Sequence, residues 1–197
     1  WAEHNDWTGA TEANPAKWKY KPYGEGKDHV LFGDWQICFQ TYIDLYNIEA
    51  AKGNAAASEF MVKRAKEVMH YEAYSEPTDY WWWSDALYMV MPVMTKMYKL
   101  TGDVKYLDKL YDNLLTTDEI MLDKETNLYV RDGKYVYPKH KSANGKKDFW
   151  ARGDGWVLAG LAKVLQDMPK DYKHYQFFVD KFQKLAKAVA EIQQPEG

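Results

Sequence analysis

The sequence predicts an all-α fold built from helical hairpins, and three observations carry that prediction. From residue 35 onward apolar side chains recur at helical spacing. Strand-like patterning is confined to a short stretch near 128–137. The helical segments fall into three pairs, 35–71, 85–115 and 156–193, and each pair opens on similar residues, a weak internal repeat of the kind helical-hairpin arrays show.

The elements follow in order. Residues 1–33 are rich in Trp, Tyr, Pro and Gly and read mostly as loop, either a substrate-facing arm or a segment awaiting a packing partner. Trp35 to Ala51 forms the first helix. Ala57 to about Tyr71 forms the second, with Phe60, Ala65 and Val68 on one side. Leu87, Met91, Met94 and Tyr98 mark the third, which Pro92 should kink or shorten. Val104, Leu107, Leu110, Tyr111 and Leu114 mark the fourth, opened by Thr101-Gly102-Asp103. Leu128-Tyr129-Val130 and Lys134-Tyr135-Val136-Tyr137 flank Arg131-Asp132-Gly133 and predict a small hairpin. Trp156 to about Gln166 is the fifth helix. Tyr175 to Ile192 is the sixth, ended by Gln194-Pro195-Glu196-Gly197.

Composition narrows the function. Of 197 residues, 46% are hydrophobic and 28% charged, which suits a packed domain. A net charge of −3 offers no electrostatic footprint for nucleic acid or an anionic membrane. No apolar run approaches the ~20 residues of a membrane helix, and no signal peptide is visible. The single cysteine, Cys38, excludes an internal disulfide framework and a cysteine metal cluster, and the five histidines show no metal spacing. The unusual figure is 9 Trp and 16 Tyr. Aromatic rings with a polar edge suit the apolar faces and hydroxyl rims of sugars, although an aromatic-rich core needs equal weight.

Position tips that balance. Gly33-Asp34-Trp35, Trp83-Ser84-Asp85-Ala86 and Gly153-Asp154-Gly155-Trp156 each put an aspartate at an expected helix start beside an indole. Any one aspartate taken alone reads as a helix cap, worth ~1 kcal/mol. A cap needs no tryptophan, however. Parallel first helices would bring three carboxylates and several indoles to one mouth.

These residues carry a family likeness. Trp82-Trp83-Ser84-Asp85-Ala86-Leu87-Tyr88-Met89 with Pro92-Val93, the loop from Lys124-Glu125 to Arg131-Asp132, Asn144-Gly145-Lys146-Lys147 with Phe149-Trp150-Ala151-Arg152-Gly153-Asp154-Gly155-Trp156, and Ile192-Gln193-Gln194-Pro195-Glu196-Gly197 resemble the signatures of unsaturated glucuronyl/galacturonyl hydrolases. These include the rhamnogalacturonyl hydrolases of glycoside hydrolase families 88 and 105. The resemblance implies an (α/α)6 toroid, an α/α barrel of about twelve helices, of which this chain would supply half as one partial domain. It departs from the family at Asp154, where Asn or Gln is usual, and after His4-Asn5-Asp6-Trp7-Thr8, where a helix is missing.

The implied reaction is hydration of the C4=C5 bond of a terminal unsaturated uronate on lyase-generated oligosaccharides of the pectin or rhamnogalacturonan type. No metal or cofactor is implied, and periplasm and cytoplasm stay equally open. Asp85 matches the family's acid/base and Asp34 the second carboxylate. Arg152 suits the uronate carboxylate, because a guanidinium fork fits planar oxyanions; an ion pair to Asp154 is its alternative. Trp83, Trp150 and Trp156 would wall the sugar, and Met89 and Asp154 would line the same face. Gly153 and Gly155 would let a turn approach the ligand, and Lys146-Lys147 could greet an acidic oligosaccharide. Rival readings are a conventional inverting glycosidase on the same toroid and a noncatalytic carbohydrate-binding protein.

Overall fold

The computed structural model describes residues 1–21 and 26–195. The described chain is mostly helical, with helices α1 (Gly33–Gln36), α2 (Cys38–Ala51), α3 (Ala55–Ser58), α4 (Phe60–Tyr74), α5 (Ala86–Met89), α6 (Met91–Thr101), α7 (Lys105–Met121), α8 (Ala151–Asp167) and α9 (Tyr175–Ile192). Two short strands, β1 (Leu122–Asp123) and β2 (Leu128–Tyr129), pair antiparallel. Pro195 lies beyond α9; the last two residues of the expected terminating motif fall outside the described residues.

The expected hairpins form two layers. Helices α2, α6 and α8 pack side by side, each backed by its own antiparallel partner: α4 behind α2, α7 behind α6, α9 behind α8. The core between the layers is apolar and fully enclosed, with Ile43, Val68, Leu87, Met94, Leu107, Leu161 and Phe178 all inaccessible to solvent. Pro92 falls in the first turn of α6, after a break at Val90 that separates α5 from α6, so the proline shortens a helix start as expected. Gly102 ends α6 in the left-handed region at φ 75°, and Asp103 accepts the Lys105 N–H at 3.0 Å to open α7.

Two expectations need correction. The 128–137 hairpin does not form. Leu128-Tyr129 pairs backwards with Leu122-Asp123, through a turn in which Asn127 takes φ 60°. The Asp123 carboxylate accepts the Glu125 and Thr126 N–H groups, an Asx turn that outcompetes the Asp-Gly signal. Asp132 instead bridges Trp83. The fifth helix also starts earlier than periodicity indicates. Trp150 is extended, α8 begins at Ala151, and Gly153, Asp154 and Gly155 are helical rather than part of a turn.

Packing explains two of the three glycines in α8, Gly153 and Gly160, despite their cost of about 1 kcal/mol each. A Cβ at Gly153 would lie 2.7 Å from Ser84 Oγ, and one at Gly160 would lie 2.4 Å from the Leu87 carbonyl oxygen. This face of α8 sits directly on α5 and the segment before it. Gly155, in contrast, faces open space.

The described residues among the first 33 are packed rather than free. Trp7, Trp18, Val30, Leu31 and Phe32 are buried, the Arg64 guanidinium of α4 donates to the Ala10 and Glu12 carbonyls, and Tyr42 Oη donates to the Thr8 carbonyl at 3.0 Å.

Asp154 is a joint between elements. It is 2% exposed, and its Oδ1 accepts the Tyr129 N–H at 2.7 Å, tying β2 to α8. The Tyr129 phenol donates to Asp118 of α7 at 2.5 Å, and Asp118 also pairs with Lys181 of α9. Burial raises the Asp154 carboxyl to about 6, with the Tyr129 N–H pulling the other way.

Two predictions follow from this packing. Gly160→Ala should destabilise by about 1–3 kcal/mol through overpacking, and Gly155→Ala should stabilise by about 0.5–1 kcal/mol; paired urea midpoints read both. The second concerns pH. The native state holds the Asp154 proton more tightly than the unfolded chain, so this group's contribution is complete below its ordinary value of 3.8 and is lost as pH rises through about 6. Asp154→Asn keeps an acceptor for Tyr129 and removes the titration. Its stability relative to the parent should rise by about 1–3 kcal/mol between pH 4 and pH 8, whereas parallel pH profiles would remove this account of Asp154.

Candidate active site

A cavity of about 550 Å³ opens where α1, the segment before α5, the loop after β2 and the start of α8 meet. Each wall has a local cause. Phe32 stacks on Trp83 at 4.6 Å between ring centroids, and Trp83 leans on Trp82 at 4.8 Å. Gly33 makes room for that stack, because a Cβ there would lie 3.1 Å from the Trp83 ring. Trp82 is anchored by its indole N–H on the Tyr20 carbonyl at 3.0 Å. The facing wall comes from residues 131–152: Arg131, Asp132, Tyr135, Asp148, Phe149, Trp150 and Arg152.

Two carboxylates enter the cavity from separate helices. Asp34 stands in the first turn of α1, exposed at the opening. Asp85 occupies the N-cap of α5 but makes no capping hydrogen bond, and its Oδ1 is buried without a hydrogen-bond partner. A buried, unpaired carboxyl oxygen is costly in a finished core and sensible where a ligand is to complete it. Burial raises the Asp85 carboxyl above its ordinary range; Arg152 opposes that, Asp34 reinforces it and Arg131 opposes it more weakly. Burial also raises Asp34. All four charges therefore act on one small volume.

The guanidinium of Arg152 lies over the Trp150 ring, 4.4 Å from its centroid. It forms no ion pair with Asp154, which faces away into the core. Arg131 is braced differently: Nε and Nη2 contact Asp132 Oδ2 at 3.0 and 2.9 Å, and the group stacks 4.4 Å from the Tyr135 centroid. Asp148 bonds His140 Nε2 at 2.6 Å. Lys147 clips this loop to Asp123 and Glu125, at 2.6 Å each, so that lysine is committed to the protein.

Of the residues singled out from sequence, Asp34, Asp85, Trp83, Trp150 and Arg152 line the cavity. Three do not. Asp154 is committed to Tyr129, as described above. Trp156 lies one helical turn past Arg152 and packs on Tyr88 at 4.5 Å. Met89 is part-buried outside the lining, and its carbonyl accepts from Gln40 at 3.0 Å. For Asp154 the cause is helix geometry: α8 is helical from Ala151, so a side chain two residues past Arg152 points about 200° away from it, into the core.

Sequence reasoning missed Phe32, Trp82, Arg131, Asp132, Tyr135, Asp148 and Phe149 as cavity residues. A signal existed for some. Trp82, Phe149 and Arg131-Asp132 lie inside the family-like signatures, although Arg131-Asp132 reads from sequence as a hairpin turn. Among the described residues no cluster of three or more His, Cys, Asp or Glu could hold a metal ion, and no helix is long and apolar enough to cross a membrane.

Comparison with known proteins agrees with this picture. A solved structure described as a polysaccharide lyase is 60% identical, superimposes with a TM-score of 0.93, and matches 100% of this chain and 53% of its own. A glycosyl hydrolase family 88 protein from Bacteroides vulgatus is 52% identical, with a TM-score of 0.93 over 100% of this chain and 54% of its own. An unsaturated 3S-rhamnoglycuronyl hydrolase of Formosa agariphila is 42% identical over 127 residues, 62% of this chain and 34% of that protein. The chain thus spans about half the length of the solved relatives and a third of that curated one. The fold is a helical toroid, and the chain accounts for about half the length of its structural neighbours. The description Glycosyl Hydrolase Family 88 matches residues 2–197, and the chain belongs to that family.

Proposed function

We propose that this chain carries the acid/base side of a site that removes 4,5-unsaturated uronic acid from the non-reducing end of oligosaccharides by hydrating the C4=C5 bond. The supporting observation is Asp85: a carboxyl with a buried oxygen lacking any protein partner, raised above its ordinary range, between an arginine and a second carboxylate.

The chemistry follows from that environment. The enoate is a vinyl ether, so protonation at C4 places positive charge on C5 and the ring oxygen. Asp85, protonated more readily than a solvated aspartate, supplies the proton. Its carboxylate then takes a proton from the water that adds at C5. The product is a hemiketal at C5, which opens and releases the aglycone. Asp34 keeps the Asp85 proton in place by its negative charge and orients water from the cavity mouth. Arg152 engages the uronate carboxylate with its fork, its aliphatic stem and plane braced on Trp150. Trp82, Trp83 and Phe32 present an apolar wall to the flat, half-unsaturated ring. The named curated relative acts on rhamnoglycuronyl linkages, which points to rhamnose as the sugar released.

One relative is described as a lyase, and elimination would create the enoate that the proposed reaction consumes. Ultraviolet absorbance of the conjugated acid separates the two: it falls with hydration, rises with elimination, and stays constant for a binding protein.

On a lyase-generated unsaturated disaccharide, Asp85→Asn should cut turnover by about 10²–10⁴-fold while binding persists; retained turnover would remove Asp85 from the mechanism. The neighbouring charges give a signed test. Asp34→Asn should lower the Asp85 pKa and move the alkaline limb of kcat/KM to lower pH, and Arg152→Met should move it to higher pH while raising KM. Shifts in the same direction would contradict the arrangement.

A further inference from the structure

A buried carboxylate outside the cavity ties its two acidic segments together. Glu72, on α4, is fully buried. Its Oε2 accepts the Gln36 side-chain amide at 2.7 Å, and its Oε1 accepts the Trp81 indole N–H at 3.1 Å and the Asn113 amide at 3.3 Å. Gln36 closes α1, two residues after Asp34. Trp81 opens the run Trp81-Trp82-Trp83-Ser84-Asp85, and its carbonyl is held by Thr117 Oγ1 of α7 at 2.9 Å. Gln36, Trp81 and Asn113 are all at most 1% exposed.

We infer that Glu72 is a positioning residue: one carboxylate, gripping α1 through Gln36 and the Trp81–Asp85 segment through Trp81, sets the register of Asp34 against Asp85. The inference deepens the proposed function and rests on it.

Burying a carboxylate is expensive unless it is fully hydrogen-bonded, and an apolar side chain of similar volume would fill this space at less expense. Here burial outweighs all its partners and raises Glu72 to about 7, against the pull of Gln36, Lys109, Trp81 and Asn113. Lys109 gives its own hydrogen bonds to the Ser75 and Pro77 carbonyls, 2.6 Å each, so it contributes charge rather than a direct contact. What the expense secures is geometry. α1 is only four residues long and is joined to α2 through Ile37 alone, so the Gln36 bond holds it from the side. Two N–H donors converge on one rigid, planar acceptor, and each belongs to a segment that carries one of the two acids. Gln36 Oε1 has no partner, so the Gln36 amide is free to turn over if residue 72 becomes an amide.

That asymmetry supplies the test. Glu72→Gln can keep all three partners engaged: its oxygen accepts from Trp81 and Asn113, and its amide donates to the oxygen of a turned-over Gln36. Glu72→Leu orphans all three. Gln36→Leu cuts only the arm to α1 and serves should the Glu72→Leu protein fail to fold. Two readouts are taken on folded protein: the Asp34 and Asp85 titrations by carboxyl-carbon NMR, and kcat and KM on the unsaturated disaccharide. Glu72→Gln should leave both Asp titrations in place and kcat within about threefold, whereas Glu72→Leu and Gln36→Leu should shift the Asp85 titration downward and lower kcat by about tenfold or more, because a small misplacement of reacting groups is amplified in rate. KM should move less than kcat. Folded Leu variants with an unmoved Asp85 titration and parental kcat would overturn the inference. A parent protein that titrates as described but turns over no unsaturated uronide would instead overturn the proposed function, leaving the NMR arm to judge Glu72.

Discussion

The seat of α8 on α5 is the contact from which the rest of the site follows. Gly153 lies against the Ser84 side chain and Gly160 against the Leu87 carbonyl, so α8 approaches α5 and the residue before it more closely than a larger side chain would allow. That approach brings Trp150 and Arg152, at the start of α8, into the cavity that Asp85 enters from the start of α5. A larger residue at either glycine would drive the helices apart, and the guanidinium would leave the acid.

The polar joints around the cavity divide the labour. Asp154, Tyr129, Asp118 and Lys181 lock β2 between α7, α8 and α9, which fixes the start of the loop carrying Arg131 and Asp132. Lys147 and the Asx turn at Asp123 hold the other end of that loop. Glu72 ties α1 to the tryptophan run. Buried oxygens without a partner occur in the scaffold too, on Gln36 and Asp154, but that of Asp85 belongs to a residue lining the cavity, where a ligand can reach it.

Much of this was legible in the sequence. Helical periodicity located every hairpin, because amphipathic faces leave a 3.6-residue imprint that needs no tertiary knowledge. Asp34, Asp85, Trp83, Trp150 and Arg152 were legible because acids and indoles recur together at helix starts and because those positions sit in family-like signatures. Asp154 misled for a physical reason. It has the same residue type and local setting as the other two aspartates, but a helix that begins at Ala151 turns it inward, where a backbone N–H from a distant strand claims it. Trp156 is taken up by Tyr88, and Met89, at the end of α5, lies beside Gln40 of α2. Glu72 left no trace at all: a glutamate in an amphipathic helix reads as solvent-facing until the tertiary fold surrounds it.

The central claim is that the two acids, the arginine and the aromatic wall act on one sugar ring. A crystal structure of the Asp85→Asn protein with a lyase-generated unsaturated disaccharide tests it directly. The account predicts C4 of the unsaturated ring within hydrogen-bonding reach of residue 85, the uronate carboxylate against Arg152, and the ring face on the Trp82–Trp83 wall. A disaccharide bound elsewhere, or bound here with C4 turned away from residue 85, would contradict it.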